Sequence, residues 1–242
     1  MRISCLSLFP EIIQGALSHS IPGKAQEREL FQLEHVQIRD FALDKHRSVD
    51  EIPYGGGAGM VLKPEPVVAA IRSVKQPDSL VIHPSPSGIP FTQTLAKQLA
   101  NQPHLILIAS RYEGLDQRVI DGWVDLEVSL GDFVISGGEL ACAVMIDAIS
   151  RLIPGVVGKL ESIQEESFED GLLEHPQYTR PPEFEGRSIP EVLLSGHHEH
   201  IRKWRRKERI RRTRARRPDL FARFQPDKEA LKLLKELDQE DA

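Results

Sequence analysis

The chain has 242 residues, 40% of them hydrophobic, and a formal net charge of −5. That length and apolar content suit one large domain, or a domain with a small appendage, and argue against wholesale disorder. No apolar stretch reaches the length of a membrane span, Cys5 and Cys142 make neither a metal spacing nor a disulfide framework, and the N-terminus lacks a signal-peptide pattern, so the sequence reads as a cytoplasmic protein of a reducing compartment.

Strand and helix signals alternate from the start. Residues 3–9 form a short apolar run, and Pro10 can open a helix over 11–17. Residues 33–39 alternate like a strand. Residues 40–59 read as a long loop ending in YGGGAGM, and Pro64 stands at the first position of a helix over 65–74. Residues 80–83 are strand-like until PSPSG interrupts them, and a helical period covers 92–101. The run HLILIA at 104–109 is nearly all apolar, as a parallel strand covered on both faces must be. A short helix follows over 115–122 and a strand over 124–130. Such alternation predicts an α/β fold, a parallel sheet with helices on both faces.

Residues 130–155, LGDFVISGGELACAVMIDAISRLIPG, are the most informative stretch. A glycine-punctuated turn (Gly131, Gly137, Gly138) leads into a long apolar helix, and paired glycines at a helix start let backbone N–H groups approach a ligand. Arg151, near the far end, either complements the helix dipole or is held for chemistry. Around 155–190 glycine, proline and acids dominate, as in a linker. From Ile189 the chain turns helical and basic, with Ser195 a candidate N-cap, and then amphipathic over 229–237. The organisation expected is a domain over 1–160, a linker over 161–188 and a basic helical domain over 189–242.

Three polar, glycine-bearing segments follow predicted strands: SPSG (85–88), SRYEG (110–114) and GDFVISGG (131–138). Ligands of open α/β sheets sit beyond the carboxyl ends of strands, so these segments point to one small-molecule pocket, although any α/β protein needs turns there. No GxGxxG or Walker lysine is present, which argues against a nicotinamide oxidoreductase or a phosphate loop. HHEH (197–200) lacks the spacing of a zinc site and reads as a helix start rather than a metal hydrolase centre. Residues 201–223 hold twelve Lys/Arg against two acids, leaving the rest of the chain strongly acidic. Arginine forks interleaved with Trp204 suit a nucleic-acid backbone. The plain alternative is a basic helix that pairs with the acidic remainder.

The segments HRSVDEIPYGGGAGM, SRYEGLDQRVID, GDFVISGGEL, SRLIPGVVG, ESFEDGLLEHPQYTRP and LLSGHHEHIRKWR occur in this order. Together they closely resemble the bacterial tRNA (guanine-N1)-methyltransferases, which modify the guanosine just 3′ of the anticodon, position 37. The resemblance covers nearly the whole chain. It implies a trefoil-knotted methyltransferase domain of the SPOUT type, a small helical C-terminal domain, a homodimer with active sites at the interface, S-adenosylmethionine as methyl donor and a Mg²⁺ requirement in the reaction.

By the same resemblance, the donor pocket takes Pro84, Ser85 and Pro86 from one segment and Ser110, Tyr112, Glu113 and Gly114 from the next. The third segment adds Leu130, Gly131, Asp132, Phe133, Val134, Ile135, Gly137 and Gly138. Arg151 matches the catalytic arginine, and Glu166 stands where the family's general base is an aspartate. Ser110 replaces a usual glycine and Ala141 a familiar proline. The partner is the tRNA anticodon stem-loop. Contacts to it fall to His46, Asp50, Gly59 and Ser162, and to Arg202, Arg205, Arg206, Arg209 and Arg212 of the basic segment. The acid at 166 leaves one alternative open, a catalytically weak tRNA-binding paralogue of the same fold.

Overall fold

The computed structural model describes residues 1–158 and 166–240. The chain divides into two compact units, Met1–Gly158 and Lys159–Ala242. The first unit runs β1 (Arg2–Ser7), α1 (Pro10–Leu17), α2 (Ser20–Glu27), β2 (Gln32–Gln37), β3 (Asp50–Glu51), β4 (Val61–Leu62), α3 (Pro64–Val74), β5 (Ser79–Pro90), α4 (Gln93–Ala100), β6 (His104–Ile108), α5 (Gln117–Trp123), β7 (Leu126–Ser129) and α6 (Gly138–Ser150). Five strands form one parallel sheet in the order β2-β1-β6-β5-β7.

The central strand β6 shows why the sheet is covered on both sides. Every residue of HLILI is buried. Leu105 and Leu107 join one cluster with Ile13 of α1, Leu99 of α4 and Ile146 of α6. Ile106 and Ile108 join another with Val67 and Ile71 of α3 and Val119 of α5. Successive side chains point to opposite faces, so a strand between two helical layers has no polar position to spare.

Two local features depart from the sequence reading. Helix α2 forms in SIPGKAQE, a segment to which the sequence reading assigned no element. Gly23 is required there, since a Cβ would overlap the Ser18 carbonyl. PSPSG does not end a strand either. β5 continues to Pro90 and shifts register against β7 between Pro84 and Ile89. Prolines cannot donate to a sheet ladder, and a bulge tolerates them. Gly88 lies so close to β7 that a Cβ would overlap Val128 N.

A partly buried polar chain ties the N-terminal ends of four strands, β1, β2, β5 and β6. Arg2 donates to Glu34 at 2.6 Å, and Ser4 Oγ donates to Glu34 at 2.9 Å. Ser4 Oγ thus accepts from His104 Nε2 at 3.0 Å, and His104 Nδ1 accepts from Ser79 Oγ at 2.7 Å. This network suits a neutral imidazole. Burial, then the nearby Arg2 charge, pull the His104 pKa down. Folding therefore disfavours the proton, and stability falls as pH drops below about 6.5, where the unfolded histidine charges while the folded one does not. Urea midpoints between pH 5 and 7.5 test this. His104→Gln should flatten that slope, and an unchanged slope would refute the assignment.

The second unit holds a short hairpin of β8 (Glu183–Phe184) and β9 (Arg187–Ser188), then α7 (His198–Arg216), α8 (Pro218–Phe221) and α9 (Lys228–Glu240). Its core is Leu172, Ile210, Ala230, Leu233 and Leu237. Leu172, within the stretch expected as a linker, is thus a core residue, and Leu173 N donates to Thr213 Oγ1 of α7 at 2.8 Å. Ser195 does not cap α7. The helix starts at His198 after His197, and Ser195 Oγ instead accepts from His197 N at 3.2 Å.

Candidate active site

The carboxyl ends of β5, β6 and β7 share one edge of the sheet, and the segments beyond them enclose a cleft of about 520 Å³. Pro84, Ser85 and Pro86 line it from the β5 bulge, and Ser110, Tyr112, Glu113 and Gly114 from the β6 loop. Leu130, Gly131, Phe133, Val134, Ile135, Gly137 and Gly138 line it from the turn before α6, whereas Asp132 is not among the lining residues. Tyr112 sits at φ 60° and Gly114 at φ 108°, which fold the β6 loop back on itself. Leu62 N donates to the Gly114 carbonyl at 3.0 Å, and Glu113 N to the Met60 carbonyl at 2.9 Å.

These bonds join the cleft to the long hairpin loop between β3 and β4. Gly59 packs against Glu113 so closely that a Cβ would overlap its carboxylate. Asp50 begins that hairpin, paired with Leu62. His46 lies exposed in the preceding turn, where its N–H donates to Asp44 at 3.2 Å. So His46, Asp50 and Gly59 belong to one loop system, of which Gly59 touches a cleft residue.

Sequence reasoning missed the cleft's floor. His83 is buried, with Nε2 3.0 Å from Ser110 Oγ and Nδ1 3.4 Å from the Glu127 carboxylate. Burial lowers the His83 pKa, and Glu127 opposes it. Burial favours the neutral ring, whose Nε2 shares a hydrogen bond with the Ser110 hydroxyl while Nδ1 faces the Glu127 carboxylate without one. Ser110 thus gains a partner on β5 that a glycine could not use. Only contacts between separate strands reveal this, so no motif could have found it.

Arg151 caps α6, its N–H donating to the Asp147 carbonyl at 3.2 Å. Glu166 opens a tight turn in the second unit. Phe168 N donates to the Leu172 carbonyl at 2.9 Å, Ser167 Oγ accepts from Glu174 N at 2.9 Å, and Arg209 holds Asp170. Ser162 lies outside the described residues.

The basic helix is laced with ion pairs, as the plain alternative of a helix paired with acids describes. Arg202 pairs with Glu199 and Glu229, Arg206 with Asp227 and Glu229, and Arg209 with Asp170. Lys207 and Arg211 meet Glu240, and Arg214 meets Asp238 of α9. Over residues 166–240 basic and acidic residues occur in almost equal numbers. Arg202, Arg206 and Arg209, expected at phosphates, thus face carboxylates: Glu229 of α9 reaches the first two, and Asp170 of the preceding turn reaches the third. Arg205 and Arg212 have buried Nε atoms in the same helix. In HHEH, the His197 and His200 rings stack at 3.8 Å. Among the described residues no group of three or more His, Cys, Asp or Glu could hold a metal ion.

Comparison with known proteins decides the family. The model of the tRNA (Guanine-1)-methyltransferase family matches residues 1–223. The chain belongs to the tRNA (Guanine-1)-methyltransferase family. A tRNA (guanine-N(1)-)-methyltransferase of Clostridium perfringens is 54% identical over 236 residues, covering 97% of this chain and 99% of the relative. That of Dictyoglomus turgidum is 50% identical over 240 residues, covering 99% and 98%. That of a Geobacter species is 49% identical over 243 residues, covering 100% and 98%. Membership in the tRNA (Guanine-1)-methyltransferase family gives the cleft at the sheet edge a chemical context.

Proposed function

We propose that this chain transfers the methyl group of S-adenosylmethionine to N1 of the guanosine immediately 3′ of a tRNA anticodon. The family match over residues 1–223, joined to a cleft of about 520 Å³ beyond the strand ends, carries this reading. The cleft fits the donor on chemical grounds. Its volume suits a nucleoside-sized ligand, the Gly131–Gly138 turn offers backbone groups to an adenosine, and Glu113 and Glu127 offer negative charge to a cation. S-adenosylmethionine supplies an electrophilic methyl on a cationic sulfonium.

The acceptor is the difficulty. Guanine N1 carries a proton and is a poor nucleophile until that proton leaves, and its removal places negative charge on O6. Glu166 takes the proton as general base, and Arg151 stabilises O6. His46, Asp50 and Gly59 present the target base from the loop system beside Glu113, and Ser162 belongs to the same reading. Mg²⁺ enters as a requirement of the reaction.

The active unit in this reading is a homodimer whose two sites each draw on both subunits. Exposed Leu140 and Val144, one turn apart on α6, support it, together with exposed Phe133, Val134 and Ile135 beside the cleft. The trefoil knot goes with the same reading. Gly138 lies against the β6 loop, where its N–H donates to the Ser110 carbonyl at 2.8 Å and a Cβ would come within 2.8 Å of Ser110 N.

tRNA binding should depend on salt less steeply than the count of arginines in α7 suggests, since Arg202, Arg206 and Arg209 already have carboxylate partners. Glu229→Gln removes a partner from two of them. It should tighten tRNA binding at low salt and steepen the log–log salt slope by about one. Filter binding across a salt series checks this, and an unchanged slope would show that these arginines do not reach phosphate.

The direct test is methyl transfer from labelled S-adenosylmethionine to an unmodified tRNA with guanosine 3′ of the anticodon, beside the same tRNA with adenosine there. Label is expected in the first alone. No transfer to either, with tRNA binding retained, would favour the catalytically weak paralogue.

A further inference from the structure

The turn lining the donor cleft is held from behind by charged groups that are not among the cleft's lining residues. Glu139, the second residue of α6, is fully buried. Arg111 Nε lies 2.8 Å from Glu139 Oε2, and Ser7 Oγ of β1 donates to Glu139 Oε1 at 2.9 Å. The Arg111–Glu139 contact is electrostatic, because the Nε–H is not aimed along it as a hydrogen bond. The other end of the guanidinium reaches the turn itself, where Nη1 donates to the Ser136 carbonyl at 3.2 Å. The Phe9 ring lies 4.8 Å from the guanidinium carbon.

Gly137 completes the arrangement. A Cβ there would overlap Arg111 Nε. Its φ of 175° is ordinary extended backbone, so the glycine answers to close approach and not to conformation. The chain brings its turn directly over a cation that is neutralised by a carboxylate on the following helix. Burying such a pair costs solvation of both ions, and hydrophobic residues could hold two loops together without that cost. A guanidinium can instead rest its charge against a carboxylate at Nε while Nη1 hydrogen-bonds a carbonyl, which fixes where the turn lies.

We propose that Arg111 and Glu139 are positioning residues for the methyl donor, setting the Ser136–Gly138 wall of the cleft through the Ser136 carbonyl. The inference rests on the donor-site reading above. Ser7 is a secondary brace, since it orients Glu139 and also accepts Phe9 N at 2.9 Å.

A single loss of Glu139 would strand the half-buried Arg111 cation, and a single loss of Arg111 would strand the buried Glu139 carboxylate, so either risks unfolding the protein. The informative variant removes both charges. In the full-length chain, R111M/E139Q should melt within a few degrees of wild type and bind tRNA normally. Its Kd for S-adenosylhomocysteine by calorimetry, and its donor KM, should rise about tenfold or more, the loss expected for one charge-assisted hydrogen bond. Arg111→Lys keeps the charge beside Glu139 but loses the fork. It should likewise raise donor KM with little change in melting or in tRNA affinity. Normal donor affinity in either folded variant would overturn the proposal, as would equal losses of donor and tRNA binding. Wild-type protein that binds no donor would overturn the donor-site reading itself and the proposal with it.

Discussion

In the proposed mechanism, Glu166→Gln is expected to lower the single-turnover rate of methyl transfer by about two to four orders of magnitude, the range for removing a general base. The substitution keeps size and hydrogen-bonding capacity but cannot accept the N1 proton. The turn behind position 166 is held by the Phe168–Leu172 backbone bond, the Ser167–Glu174 contact and the Arg209–Asp170 pair, none of which uses the Glu166 side chain. Donor affinity should stay near wild type while the rate falls. Glu166→Asp asks a sharper question, because it draws the carboxylate back by one methylene. With the turn pinned at three points, the backbone cannot follow. A displacement on the order of 1 Å costs about 100-fold, so Asp should also be slow. A faster Asp variant would mean that the longer acid is the misplaced one, and a fully active Gln variant would remove Glu166 from the mechanism.

On the proposed homodimer reading, Val144→Asp is expected to yield a monomer and background turnover. Helix α6 is apolar on both sides. Met145, Ile146 and Ile149 face the core, while Leu140 and Val144 are 52% and 53% exposed in the single chain. Val134, beside the cleft, is 92% exposed. Exposed apolar side chains of this kind suit the proposed interface. A carboxylate in its centre would lose its hydration with no partner to replace it. The single chain should still fold, because position 144 faces outward. Light scattering should read half the wild-type mass at micromolar concentration, and the methylation assay should read background. A dimeric, active Val144→Asp protein would place the interface elsewhere and make each site the work of one subunit.

Much of the first unit is legible in the residues. The continuous apolar run of β6 has only one comfortable home, between two helical layers. Pro64 opens α3 because its missing N–H falls where a helix has no acceptor to offer. The glycine segments after β6 and β7 mark the site because ligands collect at strand ends. The second unit is less legible, and α7 shows why. An arginine-rich helix reads as a polyanion grip when its neighbours are unknown. Once α9 is docked, Glu229, Asp238 and Glu240 stand opposite those arginines.

The sequence by itself determined the alternation of strands and helices, the glycine turns at the strand ends and the membership of a family, because periodicity and ordered motifs are local properties. Tertiary structure alone decided which charges are free to meet a substrate. His83 finds Ser110 and Glu127 across strands, Arg111 finds Glu139 across the turn, and α7 finds the acids of α9. Electrostatic partnership depends on distances of a few ångströms between residues far apart in the chain. Those distances exist only after the sheet has closed and the helices have packed.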